Sequence, residues 1–298
     1  MSDQARIERT GPGPGTLGLK KPWRLTAPSV LPGFSLTFGY TLVYLSLIVL
    51  FPLSVLVWRA SGLGFGGLYA VATEPRVAAG LRTTFSISLA AAAIDVVFGL
   101  IVAWVLTRYE FPGRRFLDAV VDLPFALPTA VAGISLASLY APNGLFGAPL
   151  AALGIKVAFT RLGILVALIF VGLPFIVRTV QPIIGELEVE LEEASATLGA
   201  TRAQTVWRVL LPPLAPALLT GFAMAFARAV GEYGSVIFIA GNIAYVSEIA
   251  PLLIVVKLEQ YDYAGATGIA TIMLAISFGA LLAINLIQAW SRRRFGHV

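Results

Sequence analysis

Apolar residues fall in six long runs along the chain, and polar residues collect between them. The runs cover about Leu36–Trp58, Gly80–Leu106, Ala119–Tyr140, Leu162–Val180, Leu214–Ala240 and Thr267–Trp290. Each is near or above the ~20 residues that cross about 30 Å of hydrocarbon as a helix. The pattern predicts an all-α fold: a polytopic membrane helix bundle with six transmembrane helices. The first run exceeds the ~7–15-residue core of a cleavable signal, so it is expected to remain as a membrane helix. Residues 1–33 differ in kind. GPGPG at Gly11–Gly15, with Lys20, Lys21 and Arg24, reads as a flexible tail ahead of one transmembrane domain over 34–298.

One polar insert interrupts the pattern. Between the fourth and fifth runs the chain reads EEASATLGATRAQTVWRVLLP, from Glu192 to Pro212. Glu190, Glu192 and Glu193 stand where the start of a helix favours negative charge. Gly199 fits the left-handed residue that closes a helix. Thr201-Arg202-Ala203-Gln204 matches a capping box, which opens another. Pro212 and Pro213 are expected to stop that second helix and admit the fifth span. Ala194, Ser195, Ala196 and Gly199 would let a foreign backbone approach closely. An amphipathic hairpin lying on the membrane surface is the competing reading.

Composition agrees with a membrane chain. Hydrophobic residues are 58% of the 298 and charged residues 12%, against roughly 45–50% and roughly 25% in soluble domains. The net charge of +5 does not point to nucleic acid, because the charges cluster at the ends of the apolar runs. With six spans, both termini share a side. That side would carry Arg6, Arg9, Lys20, Lys21, Arg24, Arg108, Arg114, Arg115, Arg202, Arg208 and Arg292–Arg294; the other would carry only Arg59, Arg76, Lys156, Arg161 and Lys257. The bias places both termini, and the insert, in the cytoplasm. Cysteine is absent and the only histidine is His297. That removes disulfides, thiolate chemistry, and the commonest general base and metal ligand. GLGFGG, Gly62–Gly67, follows no expected strand and reads as a plain loop rather than a phosphate site.

Ionisable residues within spans are costly and point to function at the bundle interior. In the fifth run, Arg228, Glu232 and Ser235 share one helical stripe with Gly221, Ala225 and Gly231. Phe222, Phe226, Val230, Tyr233 and Ile237 fall on the other side, suited to lipid or bulky packing. Two readings of Arg228 stand side by side: an i,i+4 pair with Glu232 that serves packing, or neutralisation of an anion in transit. Asp95 lies between Ala91 and Gly99 on a small-residue face and should point inward, salt-bridged to Arg228 or another cation. In DLPFALP, Asp122–Pro128, Pro124 and Pro128 should break or kink the third span. Broken helices at membrane depth are tolerated where they line a cavity. Arg228, Glu232, Ser235, Asp95, Pro124 and Pro128 are therefore the candidates for a translocation pathway.

Glu193-Ala194-Ser195, three residues, Gly199, nine residues, then Val209-Leu210-Leu211-Pro212 resembles the EAA–G–I-x-LP signature of bacterial ABC importer permeases. It departs from that signature with Ser195 for Ala and Val209 for Ile. The resemblance implies that Glu193, Ala194, Ser195, Gly199, Leu211 and Pro212 belong to a coupling helix unit, which docks in a cleft on a cytoplasmic ATPase. Two longer stretches, TRYEFPGRRFLDAVVDLPFALPTAVAG (Thr107–Gly133) and ARAVGEYGSVIFIAGN (Ala227–Asn242), are similar to the sulfate importer permeases, in particular their T-type subunits. The similarity runs from about Leu31 to Gln288.

This resemblance implies the permease domain of an ATP-driven importer of sulfate, and of thiosulfate, in the bacterial inner membrane. It also implies partners: a homologous W-type permease, two copies of a cytoplasmic ABC ATPase and a periplasmic sulfate-binding protein. The chain has no GxxxxGK[ST] loop. It is expected to bind no cofactor, with ATP and magnesium held on the partner ATPase. A molybdate or tungstate importer permease is the alternative. It shares the GE-aromatic-G element but matches less well around IFIAGN and through Glu248–Tyr263. A secondary anion transporter would not need the capped insert. An intramembrane aspartyl protease built on Asp95 and Asp122 would lack its GxGD element.

Overall fold

The computed structural model describes residues 34–295. The tail expected over 1–33 and His297 lie outside the described residues, as do the side chains of Arg292–Arg294. Among the described residues the regular elements are helices: α1 (Phe34–Leu45), α2 (Phe51–Ser61), α3 (Gly64–Thr73), α4 (Pro75–Arg108), α5 (Arg114–Val121), α6 (Leu123–Ala126), α7 (Thr129–Tyr140), α8 (Gly147–Ala152), α9 (Arg161–Glu186), α10 (Val189–Thr197), α11 (Arg202–Gln204), α12 (Leu211–Val230), α13 (Val236–Ile239), α14 (Ala250–Glu259) and α15 (Tyr263–Phe295). π-Helical turns over Ser46–Leu50 and Thr205–Leu210 join α1 to α2 and α11 to α12.

Two compact units divide the chain after Pro52. The first holds α1, whose large apolar side chains are exposed, with Phe34 stacked on Phe38 and Tyr40 on Tyr44. The second is built on α4, α9 and α12, which pack closely on one another. One core cluster takes Ala103 and Leu106 from α4, Ile176, Val180 and Ile184 from α9, and Leu214, Phe226 and Val230 from α12. Small residues permit the approach: a Cβ on Gly99 would lie 2.7 Å from Ile176 Cγ2, and one on Gly221 would lie 3.1 Å from the Ile176 Cα. A further cluster joins Val77 and Leu81 of α4 to Ala250 and Leu253 of α14 and Ile269 of α15.

Five helices among the described residues are long and apolar enough to cross a membrane: Leu36–Ser61, Pro75–Arg108, Arg161–Glu186, Arg202–Val230 and Tyr263–Ala289. The third expected span is not one of them. It is divided into α5, α6 and α7, and the clean break falls at Leu127 and Pro128, whose ψ angles are 136° and 131°. Proline has no N–H to donate and drives the residue before it out of the helical region. Pro124 sits in the first turn of α6, where a missing N–H is tolerated.

Three further expectations are corrected. α12 ends at Val230, so Glu232 and Ser235 do not lie on its stripe. Pro212 and Pro213 do not stop a helix, because the chain stays helical from Arg202 to Val230. The π turn before them bonds the Leu211 N–H to the Val206 carbonyl, and the prolines fall in the first turn of α12. GLGFGG is not a loop throughout: Gly64 opens α3, whose Val71 packs against the cluster around Ile269. That burial outweighs the entropic penalty of its glycines.

Gly99→Val is expected to lower the thermal midpoint of the detergent-solubilised protein, with overpacking costing about 1–3 kcal/mol. Gly66→Ala, where a Cβ meets nothing within 4 Å, should not lower it. Fluorescence-monitored unfolding of the two variants checks the contact; equal midpoints would refute it.

Candidate functional site

The polar insert folds as a capped hairpin. Glu190 and Glu192 occupy the first turn of α10. Gly199 takes φ +80° and closes that helix. Its N–H donates to the Ala196 carbonyl, and the Ala200 N–H donates to the Ser195 carbonyl, both at 3.0 Å. Thr201 then caps α11. Its hydroxyl accepts from the Gln204 N–H at 3.4 Å, while Gln204 Oε1 accepts from the Thr201 N–H at 2.8 Å. Glu193, Ala194, Ala196 and Gly199 are exposed, and Leu198 at the tip is 87% exposed.

Ser195 does not join this exposed face, contrary to expectation. It is buried, donates to the Glu192 carbonyl at 2.8 Å and pairs with the Thr205 hydroxyl at 2.9 Å, which ties the two arms together. Leu211 and Pro212 are half-buried at the start of α12. At the base of the hairpin, Arg108 Nη2 donates to the Leu187 carbonyl at 3.0 Å and pairs with Glu192 at 3.3 Å. Its guanidinium lies 5.3 Å from the Trp104 ring centroid.

Inside the bundle the structure brings three pathway candidates together. Arg228 forms an ion pair with Glu232. The buried Glu232 carboxylate also accepts from the N–H and the hydroxyl of Ser235, both at 2.9 Å. Arg228 stands in the last turn of α12, and Glu232 and Ser235 lie in the turn that follows it, so the three do not share one helix face. The start of α7, just past Pro128, lies against the same turn: a Cβ on Gly133 would overlap the Ser235 carbonyl, and one on Gly234 would overlap the Thr129 hydroxyl. Next to Pro124, Phe125 sets its ring edge-on to Phe175, with centroids 5.1 Å apart.

Asp95 stands apart. It points inward as expected, but the expected salt bridge is absent among the described residues. The side chain is buried, and neither carboxylate oxygen has a hydrogen-bond partner there. α9 presents Gly172 to it, where a Cβ would collide with the carboxylate, and Ala225 of α12 lies beside that same glycine. Arg228 turns instead to Glu232.

Sequence reasoning missed Arg178. Its Nε and Nη2 donate to the two oxygens of Asp122 at 2.7 and 2.6 Å. Its Nη1 donates to Asp118 at 2.7 Å and to Gln181 at 2.6 Å, and Nη2 also reaches the Asp118 carbonyl at 2.8 Å. These bonds hold α5 and its C-terminal turn to α9. The rule that picked out Arg228, an ionisable residue inside an apolar run, could have found Arg178 as well. The hydrogen bond from Arg178, and next that from Gln181, lowers the Asp118 carboxyl below the usual carboxylate range.

Two of the cations expected outside are also paired. Arg76 binds Glu248 through two bonds of 2.8 and 2.7 Å. Lys257 meets Asp262 at 3.1 Å and Glu74 at 3.6 Å. Among the described residues no group of three or more His, Asp or Glu could hold a metal ion.

Known proteins resemble this chain in sequence and in fold. The family described as binding-protein-dependent transport system inner membrane component matches residues 95–297. A sulfate transport system permease protein CysT from Synechococcus elongatus is 51% identical over 266 residues, covering 89% of this chain and 96% of that relative. The protein of the same name from Salmonella typhimurium is 51% identical over 269 residues, covering 90% and 97%. Among solved structures, a bacterial alginate ABC transporter in complex with an alginate-pentasaccharide-bound periplasmic protein matches with a TM-score of 0.70 at 17% identity, covering 89% of this chain and 95% of that one. An inward-facing MetNI methionine ABC transporter matches at 0.56 and 20% identity, covering 74% and 99%. At these identities the structural matches speak to the fold.

Arg178→Ala removes the Arg178 donors from Asp122 and leaves Asp118 only the Gln181 bond, and it is expected to destabilise the α5–α9 contact by about 0.5–1.5 kcal/mol. Hydrogen exchange over 114–126 should speed up, while α4 should be little changed. Asp118 contributes above the usual carboxylate range, and its contribution is lost as pH falls through its lowered value. Asp118→Asn should therefore blunt the acid sensitivity of exchange in this segment.

Proposed function

The chain belongs to the family of binding-protein-dependent transport system inner membrane components, and from that premise we propose that it is the membrane-spanning permease subunit of an ATP-driven sulfate importer. The observation that carries this reading is the identity to relatives named as sulfate transport permeases, which runs through nearly the whole chain. The protein is a transport subunit. ATP and magnesium bind a separate cytoplasmic ATPase, present in two copies. A homologous W-type permease completes the pathway, and a periplasmic sulfate-binding protein delivers the substrate. Thiosulfate, a similar dianion, is carried as well.

The hairpin of α10 and α11 acts as the coupling element. Glu193, Ala194, Leu198 and Gly199 are exposed for docking in the ATPase. Ser195 keeps the arms from sliding. Leu211 and Pro212 pass displacement into α12, since the chain stays helical from Arg202 to Val230. A stiff connection transmits motion that a floppy loop would absorb. The far end of that helix carries Arg228, beside Glu232 and Ser235. A sulfate dianion cannot cross hydrocarbon unaided, because burying an unpaired charge costs several kcal/mol. The guanidinium of Arg228, about a third exposed, supplies donors where α12 ends. With the broken third run counted as one crossing, the chain over 34–298 passes the inner membrane six times, and both termini are cytoplasmic.

Labelled-sulfate uptake in a strain lacking this gene tests the substrate. Restoring the gene should restore uptake; thiosulfate should compete and molybdate should compete weakly. Dominant competition by molybdate would reassign the substrate. Gly199→Val tests the coupling element. A Cβ there meets nothing within 4 Å, so no internal clash arises. The left-handed conformation would be strained by about 1–2 kcal/mol. Uptake should fall with insertion intact, and Gly199→Asn, which tolerates that conformation, should retain more of it.

A further inference from the structure

We propose that Arg108 is a positioning residue that locks the joint between α9 and the α10–α11 hairpin to the end of α4, so that α4 moves with the hairpin. This rests on the importer reading above.

The joint is short and extended. α9 ends at Glu186 and α10 begins at Val189. Leu187 and Glu188 between them have ψ of 119° and 133°. Two extended residues between helices leave the hairpin free to swing about α9 unless something pins it. The hairpin continues directly into α12 through the π turn. α4 has no such connection. Among the described residues, Arg108 makes the polar contacts between α4 and this segment.

Those contacts fall within the joint and one turn beyond it. Leu187, whose carbonyl accepts at 3.0 Å, lies within it. Glu192, paired at 3.3 Å, lies one turn into α10. Rotation of α10 about the joint would break one contact or the other; the Leu187 bond has a charged donor, the stronger class of hydrogen bond, and the Glu192 contact is an ion pair. The guanidinium is held in place by Trp104, one turn back on α4, and its side chain is only 18% exposed. Both contacts use Nη2, and the planar guanidinium, stacked on Trp104, fixes the direction of that nitrogen; a lysine ammonium is a point charge on a flexible stem and is held less rigidly.

The test uses the complete importer, reconstituted in proteoliposomes with its binding protein, and measures sulfate imported per ATP hydrolysed. Arg108→Gln should lower that ratio about fivefold or more, the scale of a typical coupling, while stimulated ATP hydrolysis persists. A residue that only stabilised the fold would lower both rates together and leave the ratio unchanged. Arg108→Lys should be intermediate. Glu192→Gln, which keeps the Leu187 bond, should show a smaller fall. An unchanged ratio in Arg108→Gln overturns the proposal. If that variant does not assemble, Glu192→Gln decides, and an unchanged ratio there overturns it equally. Absence of ATP-dependent sulfate uptake by the unaltered complex would instead sink the importer reading, and this inference with it.

Discussion

The structure depends on how closely α4, α9 and α12 approach one another. In lipid no hydrophobic driving force holds helices together, so van der Waals packing and polar contacts must do it. Gly99 and Gly221 receive Ile176 from both sides, and Gly172 leaves room for Asp95. Each contact is too tight for even one added methyl group to enter freely. The spacing has consequences well away from the glycines. Arg108 reaches the Leu187 carbonyl only because α4 and α9 run side by side to their shared end.

A second constraint is the expense of charge in an apolar surrounding. The bundle meets it by assigning partners. Arg178 uses all three nitrogens on two aspartates and a glutamine. The buried Glu232 accepts from Arg228 and twice from Ser235. The buried Glu248 takes both bonds of Arg76. Asp95 is the exception, facing Gly172 with no hydrogen-bond partner among the described residues. An unsatisfied buried carboxyl destabilises a fold, so the presence of Asp95 is not explained by stability.

Stiffness links these regions to the hairpin. A helix terminus leaves backbone groups unsatisfied, and caps restore them. Here Gly199 and the Thr201–Gln204 box act within a few residues of each other. The prolines that would end most helices instead follow a π turn, and the helix runs on into the bundle. A helix stop in sequence terms becomes a continuous helix in the structure.

The sequence by itself determined whatever depends on local chemistry. Apolar run length set five of the spans, Gly199 set the left-handed turn, Thr201 and Gln204 set the cap, and Pro128 set the break. Each follows from backbone sterics or from bonds between residues a few positions apart. Only the tertiary structure decided the partners. Asp95 drew Gly172 rather than Arg228, Ser195 turned inward to Thr205, and Arg178 gathered two aspartates from α5 and the turn that ends it. Those outcomes depend on which faces meet when helices distant in sequence pack at close range. Periodicity along one helix cannot specify the rotation of its neighbour.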